Sequence, residues 1–557
     1  MNPFAQCSPL IARIEMHILP HHWRYCLLFF PAMRSIESRA WLLAVVSAVL
    51  QVAIFPLPNL YGLCWIAVAP LLVALLRTRR PETLQLQGGA KLLPATPRQG
   101  FLLGYVCGIL WYGGNCYWVY STMKQYGGIS APGAFGLLIM FCLYLGLYHG
   151  AFGLIISLLA KWSQRAAIVL SPFVWVAVEL ARTRLSGFPW DLLGITQVDN
   201  IPLSRIATVT GVYGLSLEIM IVNAAFAAAF VVRGNRRRSL AFAALVAAAV
   251  LQSARWIPAP AYAADRTAVL VQENIPVLDN ADWTHQYLED TLTDLTKLSL
   301  TSAADQPRPD LIVWPESPAP FYAGDPAFRN TVAQIATTAH AWVAAGNIAV
   351  ENAGGSSQQI FNSASLFGPD GQFAGRYDKV HLVPFGEYVP FKNLLSFAGG
   401  LTKEVGDFTS GNLRLPLQAG NEKLGVFICY ESIFPDEVRQ FAKNGAEVFV
   451  NISNDGWYGD SGAYAQHLRQ ARMRAVENGR WLLRTTNTGV TAAIDPSGRV
   501  VQKVPRKVRT ALVASYSLEN RTTFYTRHGD WLAYACAIIS LGAILAAITP
   551  VKGRLQA

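Results

Sequence analysis

The sequence predicts an α-helical polytopic membrane domain of about eight spans joined to one large extramembrane α/β domain. Hydrophobic residues make up 52% of the 557 residues, a fraction that is high for a purely soluble protein. Long apolar stretches occupy both ends of the chain, and a block of ordinary composition lies between them. Within that block, short β-rich runs alternate with segments of helical periodicity, the pattern of an α/β domain.

The charge distribution argues against a nucleic-acid-binding protein. The whole chain has a net charge of +11, but the block from Ala259 to Asp530 holds 28 acids and 24 bases, a net charge of −4. The remaining 7 acids and 22 bases give +15, so the positive excess lies among the apolar stretches. Basic residues that flank spans orient a membrane protein. We therefore expect a lipid bilayer, and no nucleic acid, as a partner.

The apolar stretches have the lengths of membrane spans. A helix needs about 20 mostly apolar residues to cross a bilayer. Eight stretches meet or approach this length: 40–56, 60–76, 100–121, 133–160, 166–182, 208–232, 239–257 and 531–549. Lys and Arg are abundant in alternate connections and sparse in the others, as expected of real spans.

This asymmetry predicts the orientation. Both termini should be cytoplasmic, which puts the α/β domain on the outer side of the membrane. In a Gram-negative-type cell that side of the inner membrane is the periplasm. The predicted organisation is a cytoplasmic extension at 1–39, spans 1–7 within 40–257, the α/β domain at 258–530, span 8 at 531–549 and a cytoplasmic tail at 550–557. Residues 1–33 suit neither a span nor a signal peptide, and Met33 would make a conventional start, so we interpret them as an extension.

The α/β pattern is carried by particular runs. Strand-like runs lie at 267–275, 311–317, 341–350, 424–431, 446–453 and 481–487, and helical segments at 284–300, 326–339 and 462–478. GPDG at 368–371 and DPSG at 495–498 predict hairpin turns. Three strands end at Glu316, Cys429 and Asn454, and strand ends are where α/β sheets usually place their sites.

Only one of the eight cysteines, Cys429, lies in the 259–530 block. No CxxC pair or zinc-ligand spacing occurs, so we expect neither a disulfide framework nor a metal, and no other cofactor. A single thiol in its domain is free for chemistry. The alternative at this point is a buried, inert cysteine.

Two further side chains would complete a site for acyl transfer. A thiol becomes nucleophilic when a base removes its proton. Glu316 in VWPESP offers such a base, and Lys379 in RYDKVHLVPFGEYVP offers a cation beside a developing oxyanion. The backbone N–H of Tyr430 would be a second donor. Taken singly, Glu316 is more typical of a turn carboxylate and Lys379 of a surface charge.

Together the motifs are specific. WPE, then DKVHLVPFGEYVP, then GVFICYE, in this order, resemble the nitrilase superfamily over about 265–515. With the spans included, the chain resembles the apolipoprotein N-acyltransferase family over nearly everything after residue 40. NCYWVY at 115–120, GFPWDLLG at 187–194 and NISNDGWYG at 451–459 add local matches.

The resemblance implies an αββα sandwich and a set of roles. Glu316 would be the general base, Lys379 the oxyanion-stabilising residue and Cys429 the nucleophile. Supporting roles would fall to Glu387, Tyr430 and Glu431. Trp283 and Tyr388 would contact substrate, although a core aromatic is an equally good interpretation of Trp283.

The implied reaction moves a fatty acyl chain from a membrane phospholipid, through a thioester on Cys429, to the N-terminal amine of a diacylated apolipoprotein. Two alternatives stay open. The same triad would serve a membrane-tethered amidase or nitrilase, although eight spans exceed what an anchor requires. A non-enzymatic transporter or scaffold should have lost part of the triad, and all three residues are present.

The other polar residues are expected to be structural. His467 would occupy a helix face. Arg469, Arg472 and Arg474 would decorate a helix, and a position of this positive charge near lipid phosphate is the alternative. Glu179 and Arg182 lie one helical turn apart, so a local ion pair is the simplest expectation.

Overall fold

The computed structural model describes residues 35–80, 92–231, 236–278, 282–304, 308–354, 358–388 and 408–549. Most of the expected extension at 1–39 and the whole of the expected tail at 550–557 lie outside these residues.

Each of the eight predicted spans is mostly helical in the part that the structure describes. The helices that precede the α/β domain are α1 (Ser38–Ala53), α2 (Cys64–Ala67), α3 (Ala69–Leu76), α4 (Pro97–Asn115), α5 (Trp118–Gln125), α6 (Ala131–Trp162), α7 (Gln164–Leu185), α8 (Ile201–Ser204), α9 (Ala207–Thr210), α10 (Val212–Val231) and α11 (Arg236–Ser253). Five helices of the described chain are long and apolar enough to cross a membrane, at 131–162, 164–185, 212–231, 236–256 and 531–548. The total of eight spans stays a prediction.

The pair α4 and α6 shows how this helical region packs. A Cβ atom built on Gly104 of α4 would lie 2.2 Å from the carbonyl oxygen of His149, and one on Gly153 of α6 would lie 2.1 Å from that of Gly100. Small residues spaced in this way let two helix backbones approach closely. Such packing is typical of helices within a membrane, where the hydrophobic effect does not drive their association.

The α/β domain consists of two six-stranded sheets packed face to face. The first has the order β12-β1-β2-β3-β4-β5 and the second the order β11-β10-β9-β8-β7-β6. The strands are β1 (Arg266–Gln272), β2 (Leu311–Val313), β3 (Trp342–Glu351), β4 (Gln359–Phe367), β5 (Phe373–Asp378), β6 (Leu417–Ala419), β7 (Glu422–Ile428), β8 (Val448–Ser453), β9 (Leu482–Thr486), β10 (Ala492–Ile494), β11 (Val500–Lys503) and β12 (Thr510–Tyr516).

Helices cover the outer face of each sheet. On the first sheet these are α12 (His285–Ala304) and α13 (Pro326–Ala339), and on the second α14 (Pro435–Lys443) and α15 (Ala463–Asn478). The last two described helices, α16 (Phe524–His528) and α17 (Trp531–Ile548), follow β12 along the chain. Side chains of β1 alternate, so that Leu270 joins the core between the sheets and Val269 joins the core beneath α12 and α13. The predicted αββα sandwich is confirmed. Both predicted turns also join hairpins, GPDG between β4 and β5 and DPSG between β10 and β11.

The strand predicted at 311–317 ends earlier, at Val313. Pro315 has no N–H to give to a sheet, and Ser317 has a φ of +33°. The chain therefore leaves β2 as a loop, which passes so close to β3 that a Cβ atom on Gly346 would lie 2.2 Å from the carbonyl oxygen of Pro315 and 3.0 Å from the Cα of Glu316. Only glycine fits there without displacing this loop.

We expect Gly346→Ala to lower the free energy of unfolding by about 1–3 kcal/mol, the usual cost of overpacking. It should also displace Glu316, because the added methyl group meets backbone rather than a mobile side chain. Thermal unfolding of the purified protein measures the first effect. Gly324→Ala is the matched control, since a Cβ atom there meets nothing within 4 Å. Equal stability of the two variants would contradict the prediction.

Helix α15 lies between the second sheet and the helical region, and this burial overturns one expectation. Arg474 is 1% exposed and its Nε lies 3.0 Å from Glu477, while Arg469 reaches Asp199 at 2.6 Å. Both arginines are thus buried in ion pairs and do not decorate the helix. Packing on two sides of α15 is the reason, and a single helix cannot reveal it from its own sequence.

The expected local pair on α7 is also wrong. Among the described residues, Glu179 and Arg182 form no ion pair. Glu179 accepts a hydrogen bond from the backbone N–H of Leu193 at 2.7 Å, and Arg182 donates one to the hydroxyl of Tyr112 at 3.1 Å. The loop after α7 folds back over the helix, and its Leu193 N–H binds the Glu179 carboxylate in place of Arg182.

Candidate active site

Glu316 is held by three donors from three different elements. It lies in the loop after β2 and is buried. Its Oε2 accepts the backbone N–H of Asn454 at 2.8 Å, from the end of β8 in the other sheet. Its Oε1 accepts from the Asn362 amide at 2.8 Å and lies 3.3 Å from the Lys379 ammonium. The carboxylate therefore joins the two sheets beyond the carboxyl ends of β2 and β8.

Lys379 follows β5 and is also buried, with 1% of its surface exposed. Its Nζ donates to Glu387 at 2.9 Å and to Glu316 at 3.3 Å. Burial alone would lower the pKa of Lys379, but the negative charges of Glu387 and Glu316 raise that pKa above its usual range. The side chain is therefore a fixed cation, suited to stabilising negative charge and unsuited to accepting a proton.

Glu387 and Asn362 complete this cluster. One oxygen of Glu387 accepts from Lys379 and from the Asn362 amide, and the other accepts the backbone N–H of Val383 at 2.8 Å. Asn362 thus bridges two carboxylates. It was not predicted from the sequence. The available signal was an asparagine inside an apolar strand, since a buried amide must find partners.

Cys429 occupies a sharp turn at the end of β7. It has a φ of +51°, in the left-handed region, and opens a short 3₁₀ turn over Cys429–Ile433. Such strain in a non-glycine residue is typical of functional positions. Burial and the charge of Glu316 raise the pKa of the Cys429 thiol, and Lys379 opposes them. At neutral pH the thiol is protonated, so its activation requires a base.

Glu431 connects the turn at Cys429–Ile433, which we call the nucleophile turn, to the segment that carries Lys379. Its Oε1 accepts from the Tyr377 hydroxyl at 2.7 Å and from the backbone N–H groups of Val380 and His381 at 2.8 and 3.1 Å. Its Oε2 accepts the backbone N–H of Ile428 at 2.7 Å. One carboxylate thus fixes the relative position of Lys379 and Cys429.

Because Glu431 and two of its donors, Tyr377 and Ile428, are buried, we expect Glu431→Gln to lower the free energy of unfolding by about 1–3 kcal/mol. Its amide NH₂ would face N–H donors at one of the two oxygen positions. Denaturation of the purified protein measures the loss. Glu289→Gln, on the exposed face of α12, is the control and should stay within about 0.5 kcal/mol of the parent. If Glu431→Gln were as stable as that control, the hydrogen bonds of Glu431 would not be what holds the nucleophile turn and the Lys379 segment together.

The site lies against the helical region. The Tyr430 hydroxyl donates to the carbonyl of Gly187 at 3.3 Å, in the GFPWD loop, which we define as residues 187–191. In the same loop, Trp190 donates its indole N–H to Gln466 of α15 at 2.8 Å. The thiol thus lies next to the part of the chain that carries the apolar helices.

The two residues expected to contact substrate are less closely tied to this cluster. Trp283 is half-buried, packs against the core beneath α12 and meets the Tyr287 ring edge-on at 5.2 Å. Tyr388 is also half-buried, and its carbonyl accepts the backbone N–H of Phe385. Contact with a substrate stays a prediction for both.

A second buried cluster, which includes His467 of α15, contacts the nucleophile turn. His467 Nε2 lies 3.0 Å from the Cys429 carbonyl and 2.8 Å from the Ser432 hydroxyl, and its Nδ1 lies 2.9 Å from Asp455. Arg484 holds Asp455 from the other side at 2.9 Å. His467 therefore lies on a helix face as expected, but this face is the one that meets the site. Among the described residues, no group of His, Cys, Asp and Glu side chains has the arrangement of a metal site.

Two family models match the two parts of the chain. Residues 47–225 match the apolipoprotein N-acyltransferase N-terminal domain, and residues 247–524 match the carbon-nitrogen hydrolase family.

Full-length relatives carry the same description. An apolipoprotein N-acyltransferase of Geobacter metallireducens is 35% identical over 538 residues, which cover 94% of this chain and 98% of the relative. One from Methylococcus capsulatus is 34% identical over 459 residues, covering 79% and 86%. Among solved structures, the carbon-nitrogen hydrolase of Helicobacter pylori G27 is 19% identical, covers 45% of this chain and 88% of its own, and has a TM-score of 0.34. The chain belongs to the apolipoprotein N-acyltransferase family.

Proposed function

We propose that this protein transfers a fatty acyl chain from a membrane phospholipid, through a thioester on Cys429, to the N-terminal amine of an S-diacylglyceryl-cysteine apolipoprotein. The observation that carries the proposal is the buried cluster of Glu316, Lys379 and Cys429 beside the GFPWD loop of the helical region. A thiol, a base and a fixed cation suit acyl transfer, and their position suits a lipid donor.

In the first step, the Cys429 sulfur attacks the carbonyl carbon of a phospholipid ester. Glu316 accepts the thiol proton. A base is needed because the pKa of the thiol is raised above its usual value. Lys379 and the backbone N–H of Tyr430 hold the oxyanion of the tetrahedral intermediate. The intermediate collapses, the C–O bond breaks, and the proton held by Glu316 passes to the departing lysophospholipid oxygen. An acyl thioester remains on Cys429.

In the second step, the α-amine of the apolipoprotein attacks the thioester carbonyl. Glu316, ionised again, takes a proton from the attacking nitrogen, and the same donors hold the second oxyanion. Cleavage of the C–S bond returns the proton to the thiol. Because a thioester also reacts with water, the burial of the site favours transfer over hydrolysis. Glu387 and Glu431 hold the cation and the nucleophile turn in place, and Trp283 and Tyr388 are the proposed substrate contacts.

The topology belongs to the same proposal. Basic residues favour cytoplasmic termini, seven spans within 40–257, a periplasmic domain at 258–530 and an eighth span at 531–549 in the inner membrane. This arrangement would place the site at the outer surface of the bilayer, where both lipidated substrates are exposed.

An assay with labelled phospholipid and a diacylated lipopeptide tests the function. Wild-type protein should release lysophospholipid and form an N-acylated peptide in equal amounts, and Cys429→Ala should do neither. Ammonia release from small amides, without lysophospholipid, would instead identify a membrane-bound amidase and overturn the proposal.

A further inference from the structure

A cluster of arginines lies where the ends of two apolar segments meet helix α15. It consists of Tyr61, Asp199, Arg255, Arg469 and Arg472, and we call it the arginine cluster. Tyr61 comes after the turn that follows α1, and Arg255 directly follows the end of α11. Arg469 and Arg472 belong to α15. None of these side chains takes part in the proposed chemistry.

Two kinds of contact hold the arginine cluster together. Arg469 Nη2 lies 2.6 Å from Asp199 Oδ2, and Arg472 Nη1 lies 2.7 Å from Asp199 Oδ1. The guanidinium carbons of Arg255 and Arg469 lie 5.2 and 5.8 Å from the centre of the Tyr61 ring. A guanidinium over an aromatic ring is attracted to the electrons of its face. One carboxylate and one ring therefore gather three cations.

The positive charge of the arginine cluster exceeds its negative charge. Among the described residues, Asp199 is the one carboxylate that forms an ion pair with any of the three arginines. Burial would raise the pKa of Asp199, but the charges of the three arginines bring that pKa below its usual value. All three cations thus act on a single carboxylate. Even when Asp191 is counted, which acts on Arg469 without an ion pair, one positive charge is left over.

Two of the arginines keep hydrogen-bond donors available. Arg255 is exposed, and its guanidinium forms no hydrogen bond or ion pair with a described residue. Arg472 donates from Nε to the carbonyl of Gly498 at 2.6 Å and from Nη1 to Asp199, which leaves its Nη2 without a partner in the described part of the chain. A guanidinium binds phosphate oxygens through parallel N–H groups. The cluster can therefore bind an anion.

Exposed apolar side chains border the arginine cluster. Trp256 is 77% exposed and Ile257 58%, and the turn at 57–60 presents two leucines that are more than half exposed. The two segments are adjacent, because Trp65 donates its indole N–H to Gln252 at 2.8 Å. Trp at the end of a span is typical of the boundary between acyl chains and headgroups. A small soluble anion would leave this apolar border uncovered, whereas a lipid would cover it.

We propose that the arginine cluster binds the headgroup phosphodiester of an anionic phospholipid, with Arg255 and Arg472 as donors and the acyl chains against Trp256. A zwitterionic headgroup carries an ammonium group, which the surplus positive charge repels, so a headgroup such as phosphoglycerol is preferred. The lipid is bound here without any change in its covalent bonds. The inference is independent of the proposed function, because binding at the cluster requires no acyl transfer.

Native mass spectrometry of the full chain tests the binding. The protein is released from nanodiscs that contain phosphatidylglycerol and phosphatidylethanolamine in equal amounts and with the same acyl chains. Every form carries Cys429→Ala, so that acyl transfer cannot consume either lipid. The parent should retain phosphatidylglycerol in preference to phosphatidylethanolamine. Equal retention of the two lipids would overturn the proposal.

Substitution at Arg255 tests the residues. Arg255→Gln should lower the retained phosphatidylglycerol by about fivefold, the effect of one cationic side chain near a headgroup. Because Arg255 is exposed, the variant should fold, and its unfolding midpoint checks this. Arg329→Gln is the matched control, since Arg329 is also exposed and lies over the Phe373 ring at 5.8 Å, but belongs to α13. The control should retain as much lipid as the parent. Equal retention in the two variants would remove the arginine cluster from lipid binding.

Inorganic phosphate separates a lipid site from a site for a small anion. Excess inorganic phosphate added to the nanodiscs should leave the retained phosphatidylglycerol unchanged, because phosphate has no acyl chains to place against Trp256 and Ile257. Loss of the retained lipid on adding phosphate would assign the cluster to a soluble anion and overturn the proposal.

Discussion

Replacing Cys429 with alanine should abolish acyl transfer, with a loss of about 10⁴-fold or more, because removing a nucleophile leaves only what binding and oxyanion stabilisation supply. Lysophospholipid release and peptide N-acylation should disappear together, since both steps pass through the same sulfur. Cys429→Ser should retain at most a trace of activity, because a hydroxyl ionises far less readily than a thiol.

The thioester itself can be observed. Wild-type protein incubated with phospholipid, without an acceptor, should gain the mass of one acyl chain on the peptide that contains Cys429. Neutral hydroxylamine should remove this adduct, as it cleaves thioesters. An unmodified Cys429 peptide under these conditions would count against a covalent mechanism.

Cys536→Ala is the matched control for the loss of a buried thiol. Cys536 lies in α17, is buried like Cys429 and packs in the helical region away from the site. Its replacement should leave the adduct and the transfer reaction intact. Equal losses in both variants would indicate that the loss of a buried thiol, and not of the nucleophile, explains the result.

The sequence predicted those parts of the site that depend on local pattern. Glu316 and Cys429 follow apolar strands, and Lys379 follows a strand that ends before a turn-rich segment, so each motif could be recognised from its own neighbours. The two hairpin turns were equally local, because Gly and Pro determine them within four residues. Where a strand ends depended on Pro315 and on the neighbouring Gly346, and the second of these is not local.

The parts that the sequence did not predict are pairings across long separations. Asn362 meets Glu387 only because β4 lies beside β5 in the folded sheet. Arg469 finds Asp199 across 270 positions in the chain. No periodicity within a helix or strand records such a partner. The expected ion pair of Glu179 failed because the loop directly after α7 folds back over the helix, and its Leu193 N–H binds the carboxylate.

Replacing Glu316 with glutamine should lower acyl transfer by about 10²–10⁴-fold, the usual contribution of a general base. Glutamine preserves the shape and can still accept from Asn362 or Lys379, but it cannot take a proton from the thiol or from the attacking amine. Both half-reactions should therefore slow. Glu351→Gln is the control, because Glu351 is exposed at the end of β3 and pairs only with Arg376 among the described residues; it should leave transfer unchanged.

The same substitution should have the opposite effect on the ionisation of the thiol. The negative charge of Glu316 raises the pKa of Cys429, and Lys379 lowers it. Burial still raises the pKa of Cys429, but the charge of Glu316 no longer adds to it while Lys379 still lowers it, so this pKa should fall. The pH profile of Cys429 alkylation should then move to lower pH in Glu316→Gln, while acyl transfer declines. A general base predicts this divergence, because it is needed for proton transfer rather than for the resting charge of the thiol. A residue that only supported the fold would lower alkylation and transfer together, and that result would remove Glu316 from the mechanism.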